Sequence, residues 1–229
     1  MDLGDALRTT GAVREFTDQP VGDDVLARIL DLARFAPSGG NRQAWRVIVV
    51  RDPAQRRRVR DHYLEGWHEY VSHVLAGVVP FSPLATASER ASAHAQLDAA
   101  RALARPDGFA ESLDQVPVLL VVAADLGALA ATDRDLARYQ MVGGASVYPF
   151  VWNILLAARQ HDLGGVMTTV ATRDEVALRD TLHLPATFAV AAVLALGHPR
   201  RQPTRLSRRA VRAFTTIDTF DGPTFETPR

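Results

Sequence analysis

"ARFAPSGGNRQAWRVIVV", residues 33–50, changes character twice. Helical spacing of apolar residues, set up by Val25, Ile29, Leu32, Ala33 and Ala36, runs into Pro37. Proline disfavours helical geometry in the residue before it, so the helix is expected to span 24–36, with Asp23 as its N-cap. "AWRVIVV", 44–50, lacks alternation and is rich in β-branched residues, which predicts a strand buried on both faces. Between the two lie Ser38, Gly39, Gly40, Asn41 and Gln43, a small loop with several hydrogen-bonding side chains at the end of a core strand.

Outward from this junction the same logic orders the chain. "RDP" at 51–53 places a capping Asp before Pro at the first helical position. A long amphipathic stretch follows over 54–79, with Val59, Tyr63, Trp67, Tyr70, Val71, Val74 and Val78 on one broad face. "VPFSPL" interrupts it, and an Ala-rich helical segment runs to about Arg105. "VPVLLVVAAD", 116–125, reads as a second buried strand. An apolar helix through "GASVYPFVWNILLAARQ" is expected to bend at Pro149. "VMTTV" is a short strand, "TRDE" at 172–175 has the capping-box pattern of a helix start, and "TFAVAAVLALG", 187–197, is the last strand. Helices alternating with strands in this way imply a sheet covered on both faces, three layers in all.

At 229 residues one domain of ordinary size is expected. The 26 basic and 26 acidic residues cancel, which favours neither nucleic acid nor a membrane as partner. All basic residues are Arg, and the absence of Cys excludes thiol catalysis, disulfides and thiolate metal sites. "MDLGDALRTTG" shows no signal-peptide pattern and no apolar run approaches bilayer length, so a cytoplasmic protein is expected. Beyond Gly197 the chain becomes Arg-rich and then Thr- and Phe-rich, with Phe214, Ile217, Phe220 and Phe225. Apolar side chains are costly to leave in water, at roughly 1.5–3 kcal/mol each if buriable. An arm over about 198–229, lying on another subunit, is expected; a disordered terminus is the alternative.

Three segments share a chemical theme. "TGAVREFTDQPV", 10–21, brings Arg14; "APSGGNRQAW", 36–45, brings glycines and amides; "RLSRRAV", 205–211, brings a guanidinium cluster. Arg suits bidentate recognition of phosphate, and glycines let backbone N–H groups approach a flat or anionic ligand. A ligand with a phosphate end and a polar, planar end uses all three.

In "VREFTDQPV", "APSGGNRQAWRVIVVRDP", "AARQHDLGGVMTT" and "LGHPRR…RRAV", in this order and spacing, the chain resembles the nitroreductase superfamily of FMN-dependent oxidoreductases. The resemblance implies an α+β, three-layer fold with a central mixed β-sheet, and a homodimer with exchanged C-terminal arms and two FMN molecules at its interface. By matching position it implies that Gly11, Ala12 and Arg14 hold the flavin and that Pro37, Ser38 and Gly39 line it, with Asn41 and Gln43 nearby. Met167, Thr168 and Thr169 would meet its isoalloxazine edge, and Arg208 and Arg209 its phosphate. Residues of about 60–110, with Trp67, Tyr70, Phe81 and Phe109, would form a variable lid over the substrate. The chain departs from the family at Thr10, Gly11 and Ala12, where two Arg and a Ser are usual. Either Arg8 or the downstream Arg cluster compensates, or the cofactor is held more loosely.

The activity so implied is transfer of reducing equivalents from NADH or NADPH through FMN to a nitroaromatic, quinone or related small-molecule acceptor, with no acid–base side chain required. The departure motivates an alternative, a flavin-binding protein that sequesters or senses flavin without fast turnover. A third reading keeps the fold with a deazaflavin donor, or with dehalogenase or oxidase chemistry.

Other patterns carry less. "PSGG" lacks the nucleophile-elbow spacing, so Ser38 does not point to a hydrolase; Ser38, Asn41 and Gln43 as caps of the loop is its structural alternative. His62, His68 and His73 are six and five apart, not the three or four that align ligands on a helix face, so surface histidines rather than a metal site are expected. "QRRRVR", 55–60, is expected to be a solvated helix face. "VGGASV", 142–147, lacks the dinucleotide fingerprint and reads as close helix packing.

Overall fold

The computed structural model describes residues 1–226. Its centre is a four-stranded sheet in the order β1-β2-β4-β3, formed by β1 (Trp45–Val49), β2 (Val118–Asp125), β3 (Gly164–Thr168) and β4 (Phe188–Gly197). All three ladders are antiparallel, which corrects the expected mixed sheet. The parallel component is a single bridge between Ala12 and Gly165. Strands β3 and β4 follow one another in the chain. The helix joining them, α7 (Glu175–Thr181), has seven residues, about 10 Å at 1.5 Å per residue. β4 starts from the end of the sheet where β3 finishes, so the two strands pair antiparallel.

β2 is buried along nearly its whole length, and its alternate side chains divide between two cores. Val118, Leu120 and Val122 pack with Leu26 and Ile29 of α2 (Asp23–Ala33) and with Val151 and Ile154 of α6 (Tyr148–Arg159). Leu119 and Val121 pack on the other face with Val59 and Tyr63 of α3 (Pro53–Leu75) and Leu178 of α7. Helices thus cover both faces, the three expected layers.

Several local expectations change in detail. α2 is capped by Gly22, not Asp23, and ends at Ala33, because two turns of chain are used before Pro37. β1 is an edge strand with Arg46 exposed, so it is half-buried and not enclosed on both faces. Pro149 sits in the first turn of α6, where its missing N–H costs nothing, and it starts that helix without bending it. The capping box at 172–175 does not form. Thr172 donates to the Thr169 carbonyl at 2.8 Å, and the Glu175 carboxylate is taken by the Val190 N–H at 2.6 Å. The box appears instead at Thr86 and Glu89, starting α4 (Ala87–His94), which is followed by α5 (Leu97–Ala102). An N-terminal helix, α1 (Leu3–Thr9), was not legible from periodicity; none of its residues is buried.

Arg56 and Arg60 also depart from a solvated face. The Arg56 guanidinium donates to the carbonyls of Asp114 at 2.7 Å, Val50 at 3.1 Å and Val116, tying the start of α3 to the approach to β2. Arg60 pairs with the buried carboxylate of Asp114 at 3.2 Å, while Arg57 and Arg58 remain exposed.

Candidate functional site

The segment after α1 is pinned to the outer edge of β3. Val13 donates its N–H to the Gly165 carbonyl at 2.9 Å, and a Cβ on Gly164 would stand 2.7 Å from the Val13 side chain. Glycine at 164 therefore lets a second backbone lie against the strand, and Arg14 emerges beside Met167 and Thr168. On the other side the arm approaches as closely: Leu206 and Pro203 lie 2.8 and 3.1 Å from where a Cβ on Gly11 would be. Gln202 donates to the Thr9 carbonyl at 3.0 Å, and Arg200 to that of Glu15 at 3.0 Å.

Arg14, Met167 and Thr168 line a cavity of about 450 Å³. Its opposite wall is aromatic. Tyr63, Trp67 and Tyr70, spaced four and three residues apart on α3, form a near-parallel ladder with centroid separations of 6.4 and 5.4 Å. Phe109 meets Tyr63 edge-on at 6.3 Å. Two of three expected flavin-edge residues and three of four expected lid residues thus share one cavity. A space of this size, mostly apolar with a few convergent polar groups, has the form of a small-molecule site. Burial pushes the Tyr63 phenol above its ordinary range, while the Thr168 hydroxyl and the nearby Arg14 charge act in the opposite direction.

The remaining expected residues fall elsewhere. Thr169 and Phe81 line a larger neighbouring cavity of about 940 Å³ with Glu69, His73 and Arg173. There the Arg173 guanidinium binds Glu69 through two hydrogen bonds of 2.7 and 2.8 Å and lies over the Phe81 ring. Ser38, Asn41 and Gln43 serve their own loop: Ser38 Oγ accepts from the Gln43 N–H at 2.9 Å, and Asn41 Oδ1 accepts from the Gln43 amide at 3.2 Å. Gly39 donates to Ser146 Oγ at 3.1 Å. Gly40, Asn41 and Gln43 are all left-handed, with φ of 61, 53 and 50°. This loop enters β1, and β2 and β4 intervene before β3. At about 4.8 Å per strand, roughly 14 Å of sheet separates the two edges. Within one chain the loop and the cavity do not meet. Arg208 and Arg209 are exposed on the arm, two and three residues beyond the Leu206 that packs on Gly11.

The three histidines of α3 correct the surface reading. His62 lies between Asp174 at 2.7 Å and Thr181 at 2.9 Å; His73 is buried, with Nδ1 2.7 Å from the Glu69 carbonyl. His68 lines the aromatic cavity with both ring nitrogens shut from solvent and unpartnered. Among the described residues no group of three His, Asp or Glu is placed to hold a metal ion. Tyr63 was legible as part of the helical stripe. His68, one position outside it, was not.

Residues 7–198 match the profile of the Nitroreductase family. The chain is 30% identical over 192 residues to a 5,6-dimethylbenzimidazole synthase of Rhodospirillum rubrum, covering 83% of this chain and 78% of that one. It is 28% identical over 224 residues to a nitrobenzene nitroreductase of Ectopseudomonas oleovorans, covering 94% and 96%. A solved iodotyrosine deiodinase, bound to FMN and 3-iodo-L-tyrosine, shares the fold with a TM-score of 0.65 at 22% identity, covering 96% of this chain and all of that one, 100%. The chain belongs to the nitroreductase family and is an NAD(P)H oxidoreductase of that family.

Proposed function

We propose, for a chain of the nitroreductase family, an FMN-dependent reductase that works as a homodimer and passes electrons from NADH or NADPH to a nitroaromatic, quinone or related planar acceptor. The observation that carries this reading is the meeting of Arg14, Met167 and Thr168 with an aromatic wall around one cavity of about 450 Å³.

The residues present fit FMN. Arg14 has no ion-pair partner among the described residues and stands at the cavity edge, suited to negative charge on a flavin's pyrimidine side. Arg208 and Arg209 are exposed cations without a carboxylate partner among the described residues, suited to its phosphate. When bound, FMN supplies the two-electron chemistry. The chain's part is to orient it, balance its charge and exclude water. Tyr63, Trp67, Tyr70 and Phe109 present flat apolar surface that keeps a planar acceptor close.

A second copy supports the same reading. Phe35 and Leu32 of the α2 end, Tyr148 and Trp152 of α6, and Phe214, Phe220 and Phe225 of the arm are large apolar side chains left exposed. Covering them against a second copy, with its 37–43 loop brought to the cavity edge, supplies the part of the site that one chain keeps at the far edge of its sheet. With no helix among the described residues long and apolar enough to cross a membrane, we keep the cytoplasm as the proposed location.

One observation favours the sequestering alternative. Thr10 spends its hydroxyl on the Ala6 carbonyl at 2.7 Å and Gly11 is packed under Pro203 and Leu206, so this stretch offers a phosphate only backbone. One experiment separates the two. The purified chain is reconstituted with FMN, freed of excess, reduced anaerobically with NADH or NADPH, and then given nitrobenzene or menadione. A yellow dimer that bleaches and recolours supports the reductase. Colour that persists with both donors supports sequestration, and a colourless single chain overturns both.

A further inference from the structure

The larger cavity, of about 940 Å³, has no part in the reductase proposed above. Its walls are α3, the turn at 81–85, α4 and the segment 169–174 that follows β3, and it shares only Val170 with the aromatic cavity. Its size falls within the range of small-molecule sites, about 300–1,000 Å³.

The carboxylates of its wall are engaged. Glu69 holds Arg173, Glu65 accepts from Arg101 at 3.2 Å, and Asp174 meets His62 at 2.7 Å. Two guanidinium groups, by contrast, keep free donors. Arg173 uses Nε and Nη2 on Glu69, which leaves Nη1 without a hydrogen bond among the described residues. Arg90 fastens Nη1 to the carbonyl of Ala85, itself a lining residue, and has no carboxylate partner among the described residues. His94, one turn further along α4, lines the same cavity. Each guanidinium is thus anchored to the wall on one side with N–H groups left over, an arrangement suited to a carboxylate.

Phe81 marks the same place independently. Its φ of 54° lies in the left-handed region, where a bulky residue is an outlier. Such a conformation costs about 1–3 kcal/mol, persists only where the surroundings fix it, and recurs at ligand clamps. Here the surroundings are the His73 ring, 5.0 Å away between centroids, and the Arg173 guanidinium, 5.3 Å over the ring. The turn thereby brings a flat apolar ring to the wall that carries the free donors.

We propose that this cavity is a second binding site, for a planar aromatic carboxylate, with Arg90 and Arg173 taking the carboxylate and Phe81 the ring. The site does not depend on the flavin reading. Three probes test it: 2-naphthoate; 2-naphthylmethanol, which has the ring without the charge; and inorganic phosphate, which has the charge without the ring. Dissociation constants are measured by isothermal titration on the chain as purified, for the wild type, Arg90→Gln, Arg90→Lys and Arg14→Gln, the last altering the aromatic cavity.

In the wild type 2-naphthoate binds about tenfold or more tighter than either other probe. Arg90→Gln removes that advantage, the loss of at least one charge-assisted hydrogen bond. Arg90→Lys keeps the charge without the planar fork and recovers part of it. Arg14→Gln leaves it unchanged. Arg90 is exposed, so both of its variants melt at the wild-type temperature. The inference is overturned if 2-naphthoate binds no better than 2-naphthylmethanol, if phosphate matches it, or if Arg90→Gln leaves its affinity unchanged. Weakening by Arg14→Gln alone would place the probe in the aromatic cavity and overturn it as well.

Discussion

The Val13 N–H reaches the Gly165 carbonyl at 2.9 Å, and this bond fixes where Arg14 leaves the backbone. It forms because β3 is an edge strand whose outward carbonyls are unpaired, and because Gly164 presents no side chain to the incoming segment. The cation at the cavity edge is therefore placed by sheet geometry and does not depend on a loop finding its own conformation.

Gly165 leaves room for the sheet and core behind it. A Cβ there would meet the Leu196 side chain at 2.4 Å and the Ala195 carbonyl at 2.6 Å, and that carbonyl belongs to the β3–β4 ladder and cannot retreat. Gly165→Val is expected to cost about 1–3 kcal/mol. The midpoint of urea unfolding measures it, and an unchanged midpoint contradicts the packing described.

Arg56 is a structural residue despite its place in a basic run. Replacing it with Met strands the carbonyls of Val50, Asp114 and Val116. A loss of about 2 kcal/mol in urea unfolding is expected. Lys satisfies fewer carbonyls than the planar fork, so Arg56→Lys should recover less than half.

Arg208 and Arg209 act on the phosphate alone in the proposed site. Changing both to Gln is expected to weaken FMN about tenfold or more, the loss of at least one charge-assisted hydrogen bond. Riboflavin, which has no phosphate, should bind the variant as it binds the wild type. Isothermal titration with the two flavins makes the comparison, and equal losses would assign the pair to the fold or the dimer.

Tyr63 supplies a pH dependence. Burial raises its phenol in the folded chain above the unfolded value of about 10. The folded state thus holds this proton more tightly. The stability it confers is complete below about pH 10 and is lost as pH rises through the folded value. Tyr63→Phe should flatten the alkaline fall of a melting-temperature profile. Tyr148, also pushed up by burial, accounts for slope that remains.

How much of this was legible follows from the range of each interaction. Periodicity and capping are local, so the four strands, α2, the Asp52–Pro53 start of α3 and the loop between α2 and β1 were all readable. The register that sets Thr168 beside Arg14 joins residues more than 150 positions apart, and resemblance supplied it where periodicity had no access. Strand direction was misjudged because helices between strands suggest crossovers, yet β1 and β2 pair antiparallel across the 23-residue α3, and β3 and β4 across α7. The isolation of His68 depends on what every neighbour does with its own hydrogen bonds. No pattern along the chain encodes that.

Three left-handed residues within four positions, Gly40, Asn41 and Gln43, leave the junction before β1 with its turn already wound and its amides already paired. Preorganisation of this kind lowers the entropic penalty of association. In the proposed homodimer, a second copy meeting this rim would find a finished mould, so the speed of assembly would be set by encounter and orientation, with no slow refolding of the contact to wait for.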